Sequence, residues 1–333
     1  MSVLPDPQRL VGISSKAYEH PADRAATAAL HAVPMLDTVV RWLIEHGYER
    51  AMRQWFLAGS VRLGDDQLPE VWASHRAALA RLDIAEVPDL YLTQFPIANA
   101  AVLGAGKPIL VLNSAAVELL DEIELRTVIG HEAGHILSDH VLYRTALMIL
   151  LTATGIGRLP LVAGLPLLGV RLALLEWSRA AELSCDRAAT LVNRDPLVTC
   201  RTLMTLAGGA ASRRLNLDAF VKQAAEYEDW PPGWEKLDRL RMELTQTHAV
   251  PVRRVGELMR WVHSGDYDRI LAGEYRRREA GADPRQEAGD AVEYYKERFR
   301  KLIDDASTGL EKTAEQASGA AERLSDWLRS GRR

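Results

Sequence analysis

The spacing of apolar residues changes character several times along the chain. Residues 1–20 are polar with two early prolines and predict a loose arm. Over 22–63, Val39, Val40, Leu43, Ile44, Tyr48 and Met52 recur at steps near three and four, which predicts amphipathic helix. Another helix is expected over 68–82. Trp42, Trp55 and Phe56 fit core contacts or a helix–helix seam. Residues 21–82 thus read as a helical scaffold or lid. The period then shortens. Asp89-Leu90-Tyr91-Leu92-Thr93 and Ile109-Leu110-Val111-Leu112 are β-type runs, with a third candidate over 98–102 and a glycine turn at Gly104-Ala105-Gly106. They predict a small sheet, whose free edge is expected at 109–113, where an extended peptide can add as a further strand.

Helical spacing returns with Leu120, Ile123, Leu125, Val128 and Ile129, behind a capping box formed by Asp121 and Glu124. Residues 145–157 and 159–170 carry no charge, but each half is only about 20 Å long as helix, against a hydrocarbon core of roughly 30 Å. For this apolar hairpin, 145–171, three readings stand: buried in the body, dipping into a membrane, or spanning it. Helix resumes near Leu172 and again after Pro251, through Val255, Leu258 and Trp261. Residues 264–289 read as linker and surface, and 290–333 as one amphipathic helix suited to contact with the body or self-association. The pattern as a whole predicts a mainly helical α+β fold, with the chemistry in 83–263.

That chemistry starts at His131-Glu132-Ala133-Gly134-His135. Residues four apart share a helix face, so His131 and His135 can offer both imidazoles to one zinc ion, and Glu132 can reach a water on it. A catalytic zinc needs a third protein ligand and one open position. Glu182, on the later helix among Ala180, Ala181, Ala188 and Ala189, supplies it. Asp186, one turn on, can orient a ligand histidine through its other ring nitrogen. Cys185 lies between them and reads as a small buried residue turned off their face.

Composition narrows the alternatives. Forty-one basic against forty-five acidic residues give a net charge of −4, so nothing favours nucleic acid as a partner. Two cysteines cannot build a disulfide framework, and with no apolar secretory start a cytoplasmic location is expected.

With Asn99-Ala100-Ala101, the HExxH stretch, His140, Ser178 to Asp186 and Thr247-His248 placed, residues 60–262 resemble the HtpX-like and CAAX prenyl protease group of zinc metallopeptidases. The resemblance implies a zincin-type fold, one zinc per chain held by His131, His135 and Glu182, and Glu132 as the base. It implies further roles for Asn99 near the substrate backbone, His248 at the oxyanion, and His140 and Asp186 behind the ligands. Ala249 stands where the group has proline after the histidine. The activity implied is hydrolysis of peptide or unfolded-protein substrates, at or near the inner face of the cell membrane. A latent zinc-binding regulatory or scaffold protein of the same fold is the alternative.

Overall fold

The structure is a computed structural model that describes residues 8–31, 36–154, 164–228 and 249–278. In chain order, α1 (Pro21–His31), α2 (Leu36–Leu43) and α3 (Glu49–Gly59) precede β1 (Val61–Arg62) and α4 (Pro69–Arg81). Three strands follow, β2 (Asp89–Thr93), β3 (Ala100–Leu103) and β4 (Ile109–Asn113). Then come α5 (Ser114–Leu119), α6 (Glu122–Leu137), α7 (Val141–Thr154), α8 (Gly164–Asn193), α9 (Pro196–Gly208), α10 (Leu217–Glu228), α11 (Pro251–His263) and α12 (Asp266–Leu271). This mostly helical chain with one small sheet is the expected α+β architecture.

The sheet runs β1-β2-β4-β3, with β2 and β4 parallel and the outer pairings antiparallel. Leu110 sits between Leu90 on one side and Val102 on the other. The expectation that 109–113 is the free edge is therefore corrected: β4 is interior, and β1 and β3 are the edges. The cause is visible in composition. Ile109, Leu110, Val111 and Leu112 are all buried, and a strand apolar on both faces belongs inside a sheet. Gly104 opens the β3–β4 turn at φ +126°, where an added Cβ would meet Pro108 Cα at 3.1 Å.

Helix α6 runs through the middle of the fold. Asp121 accepts from Glu124 N–H at 2.8 Å while Glu124 Oε2 accepts from Asp121 N–H at 3.1 Å, which is the capping box expected at its start. One side of α6 meets α4 and the sheet, the other α8 and α9. The α8 face is unusually close because Gly130 and Gly134 face Val192, Ala188 and Cys185.

Two other expectations change. The N-terminal arm is not loose over its described part: Leu10, Ile13 and Tyr18 are buried in the main core, and Ser14 N–H donates to Arg276 O at 3.0 Å. Apolar side chains at those three positions outweigh the polar average of the segment. Trp42 and Trp55 are 58% and 67% exposed, whereas Phe56 is buried against Tyr91, because the apolar faces of α2 and α3 are met from one side only. Among the described residues, no helix is long and apolar enough to cross a membrane. The centre of the apolar hairpin (155–163), the C-terminal helix expected over 290–333 and His248 lie outside the described residues.

Candidate metal centre

His131 and His135 project from one face of α6 and are both buried, with ring centroids 5.0 Å apart. Across the glycine seam, Glu182 of α8 brings one carboxylate to both. Its Oε2 is 3.4 Å from His131 Nε2, and its Oε1 is 3.4 Å from His135 Nε2. Gly134 makes this approach possible, since a Cβ there would lie 2.7 Å from Ala188 Cβ, one turn beyond Cys185.

Both histidines are held from behind. His131 Nδ1 lies 3.1 Å from Asp186 Oδ1, and Asp186 is gripped in turn by Arg254 of α11 at 2.7 and 2.5 Å. Arg254 also reaches Glu182 Oε2 at 3.3 Å. His135 Nδ1 lies 3.1 Å from His140 Nδ1. Glu132 Oε2 accepts from Val102 N–H at 2.9 Å and faces the Arg144 guanidinium at 3.3 Å. In the metal-free chain these contacts shift the groups away from their ordinary values. Burial alone would lower His131, but Glu182 and Asp186 raise it to about 9. Burial and then the Arg144 charge push His135 well below its usual value. Burial would raise Asp186, but Arg254 outweighs it and keeps the carboxyl below the usual range.

The remaining expected residues fall out unevenly. Asn99 is exposed at the lip of a cleft also lined by Val128, His131, Glu132, Leu203 and Arg254. His140 is buried directly behind His135. Cys185 is buried as expected, yet it is not turned away. His131, His135 and Cys185 offer ligand atoms within 4.8 Å of one another, and Sγ is 3.7 Å from His140 Nδ1. Position 185 follows Glu182 by three and so still faces the α6 seam. Burial, then Glu182 and Asp23, push its thiol well above the usual value. Sequence reasoning missed Arg144, Arg254 and Asp23. Arg254 had a signal: it stands on the apolar stripe of Val255, Leu258 and Trp261, where a charge must be paired. Asp23 had none, because an acid in a first helical turn reads as a partner for the helix dipole.

The donor set suits zinc: two imidazoles and a carboxylate from two helices, with the ligand nitrogens steered by other side chains. His135 Nε2 is buried, faces this set and takes no well-formed hydrogen bond among the described residues, as a metal ligand's lone pair should. Comparison with known proteins agrees. Residues 66–262 match the profile of peptidase family M48. "Plastoglobule-localized metallopeptidase 48, chloroplastic" of Arabidopsis thaliana is 36% identical over 261 residues, which cover 76% of this chain and 74% of that protein. No solved structure matches. A zinc-type donor set between two helices, on a chain that matches the family profile across both of them, has one reading: the chain belongs to peptidase family M48 and is a zinc metallopeptidase.

Proposed function

We propose that the protein is an endopeptidase in which His131, His135 and Glu182 hold the zinc ion and Glu132 moves the proton. The observation that carries this reading is the convergence of both imidazole Nε2 atoms on the two oxygens of Glu182, at 3.4 Å each, with Glu132 beside them. Zinc held there supplies a Lewis acid that acidifies water and polarises a carbonyl oxygen. Glu132 takes the proton of the attacking water and hands it to the leaving amine nitrogen, so no covalent enzyme intermediate is needed. The Val102 N–H and Arg144 aim its carboxylate. An extended substrate lies along β3, with Asn99 at the lip of the cleft holding its backbone and His248 a further donor to the oxyanion. His131 and His135 keep the roles that their spacing gave them, and Asp186 and His140 orient them from behind.

The test is Glu132→Gln. It keeps stoichiometric zinc while cleavage of an unfolded protein such as casein falls by about 10²–10⁴. Glu182→Gln lowers zinc content itself. Undiminished cleavage by Glu132→Gln removes this residue from the mechanism, and a zinc-loaded wild type that leaves casein intact favours the latent scaffold.

Peripheral contact with a lipid surface belongs to the same reading. Trp42, Trp55 and Leu57 are exposed on α2 and α3, and tryptophan favours the lipid–water boundary. The name of the Arabidopsis relative places that protein at plastoglobules. The expected outcome is flotation with anionic vesicles that is lost in Trp42→Ser/Trp55→Ser; flotation unchanged by the pair refutes the contact.

A further inference from the structure

The metal-facing end of α6 is supported by a helix that lies outside the stretch matching the family profile. Asp23, in the first turn of α1, is 1% exposed, and its Oδ2 lies 3.1 Å from His140 Nε2. The hydrogen-bond directions around it are fixed. Ser184 Oγ accepts from His20 N–H at 2.9 Å, so its own hydroxyl proton is donated to Asp23 Oδ2 at 2.5 Å. Thr27 Oγ1 accepts from Trp177 Nε1–H at 2.9 Å, and its proton goes to Asp23 Oδ1 at 3.2 Å. Both carboxylate oxygens therefore act as acceptors, and His140 must present Nε2–H to Asp23.

The consequence runs through His140 to the metal. With Nε2–H given to Asp23, His140 offers Nδ1 as the acceptor for His135 Nδ1–H at 3.1 Å. His135 then keeps its lone pair on Nε2, the buried atom that faces Glu182. The Cys185 thiol, 3.7 Å from the same His140 nitrogen, is a weak donor and agrees with that assignment. Behind His131, Nδ1 meets a carboxylate directly, in Asp186, whereas among the described residues the group 3.1 Å from His135 Nδ1 is the His140 imidazole.

We propose that Asp23 is a positioning residue for the zinc site: through His140 it locks His135 in the tautomer that leaves Nε2 open to the metal. Helix α1 is thereby a working part of the active site as well as a scaffold. The inference rests on the zinc reading above, and its test separates the two.

The experiment is zinc affinity of the full chain by chelator competition, together with ring 15N shifts of the metal-free protein. Asp23→Ala is expected to weaken zinc by about 10- to 100-fold, and His140→Phe by a similar factor. The double variant is expected to lose no more than either single one, because both break the same relay. Asp23→Asn, which retains a carbonyl oxygen for His140, is expected to fall between wild type and Asp23→Ala. Wild-type affinity in Asp23→Ala, or losses that multiply in the double variant, overturns the relay. The ring shifts need no variant to fold: Nδ1–H on His135 supports the relay and Nε2–H overturns it. Zinc affinity that survives His135→Ala, with no other residue changed, instead overturns the zinc reading itself.

Discussion

Gly134→Ala is the sharpest perturbation of the helix seam, because it adds one methyl where two helices touch. The new Cβ would stand 2.7 Å from Ala188 Cβ and 3.2 Å from Cys185 Cα. Carbon atoms in contact sit at about 3.5–4.0 Å, so α8 must retreat by roughly 1 Å. Neither neighbour offers a flexible end that could swing away. Overfilling of this kind costs about 1–3 kcal/mol, while replacing a mid-helix glycine by alanine returns up to about 1 kcal/mol. Net stability therefore falls by between about 0 and 3 kcal/mol. The metal site responds as well. Zinc–ligand distances tolerate about 0.2 Å, and Glu182 rides on the helix that moves. Zinc affinity should drop by at least about tenfold, or 1.4 kcal/mol, with a corresponding loss of casein cleavage. The assay pairs chelator competition with thermal unfolding of the metal-free chain. Gly130→Ala is the internal comparison, since it meets only the Val192 side chain, at 3.1 Å, and should do less. Wild-type zinc affinity in Gly134→Ala would refute the claim that this glycine sets the distance between the ligand helices.

Two further predictions concern buried charge. Arg254→Leu strips Asp186, 2% exposed, of its guanidinium, and should cost the metal-free protein about 3–5 kcal/mol in urea unfolding; a loss under about 1 kcal/mol would show that the clasp does not hold α11 to α8. His75 is fully buried, and burial lowers it to about 4 although its bond to Pro88 O, at 3.0 Å, pulls the other way. Its folded value lies below the ordinary 6.5, so the unfolded chain binds the extra proton first. This contribution is complete above pH 6.5 and is lost as pH falls toward 4, by about 3 kcal/mol in all. His75→Gln should flatten the stability slope across that window in the metal-free chain, and an unchanged slope would exclude His75 as its source.

What the sequence made legible was local. The capping box at Asp121 and Glu124, the four-residue step from His131 to His135, and the period-two run at 89–93 each express themselves within a few residues. The place of Glu182 beside the two histidines was legible because zinc chemistry demands a third ligand and small residues flank it. The edge strand was not. Whether β4 lies inside or outside depends on its parallel pairing with β2, which is a choice made across the chain. Asp23 meets His140 more than a hundred residues away, and neither position carries a periodic mark of that meeting. Cys185, buried as its sequence predicts, departs only in its facing: its place between Glu182 and Asp186 reads as turned off their face, whereas the glycine seam brings the whole adjacent face of α8 into the site.

The start and the far end of the described fold are stitched to each other. Ile13 bridges Arg277, Arg278 N–H donates to Gly12 O at 2.8 Å, and Arg187, directly after Asp186 on α8, donates to Tyr18 O at 3.1 Å. A nick within residues 8–20 would therefore loosen α8 directly, where in most proteins it would shorten a tail. The first described residues thus brace the helix that carries Glu182, and cleavage within 8–20 is expected to weaken zinc retention together with stability.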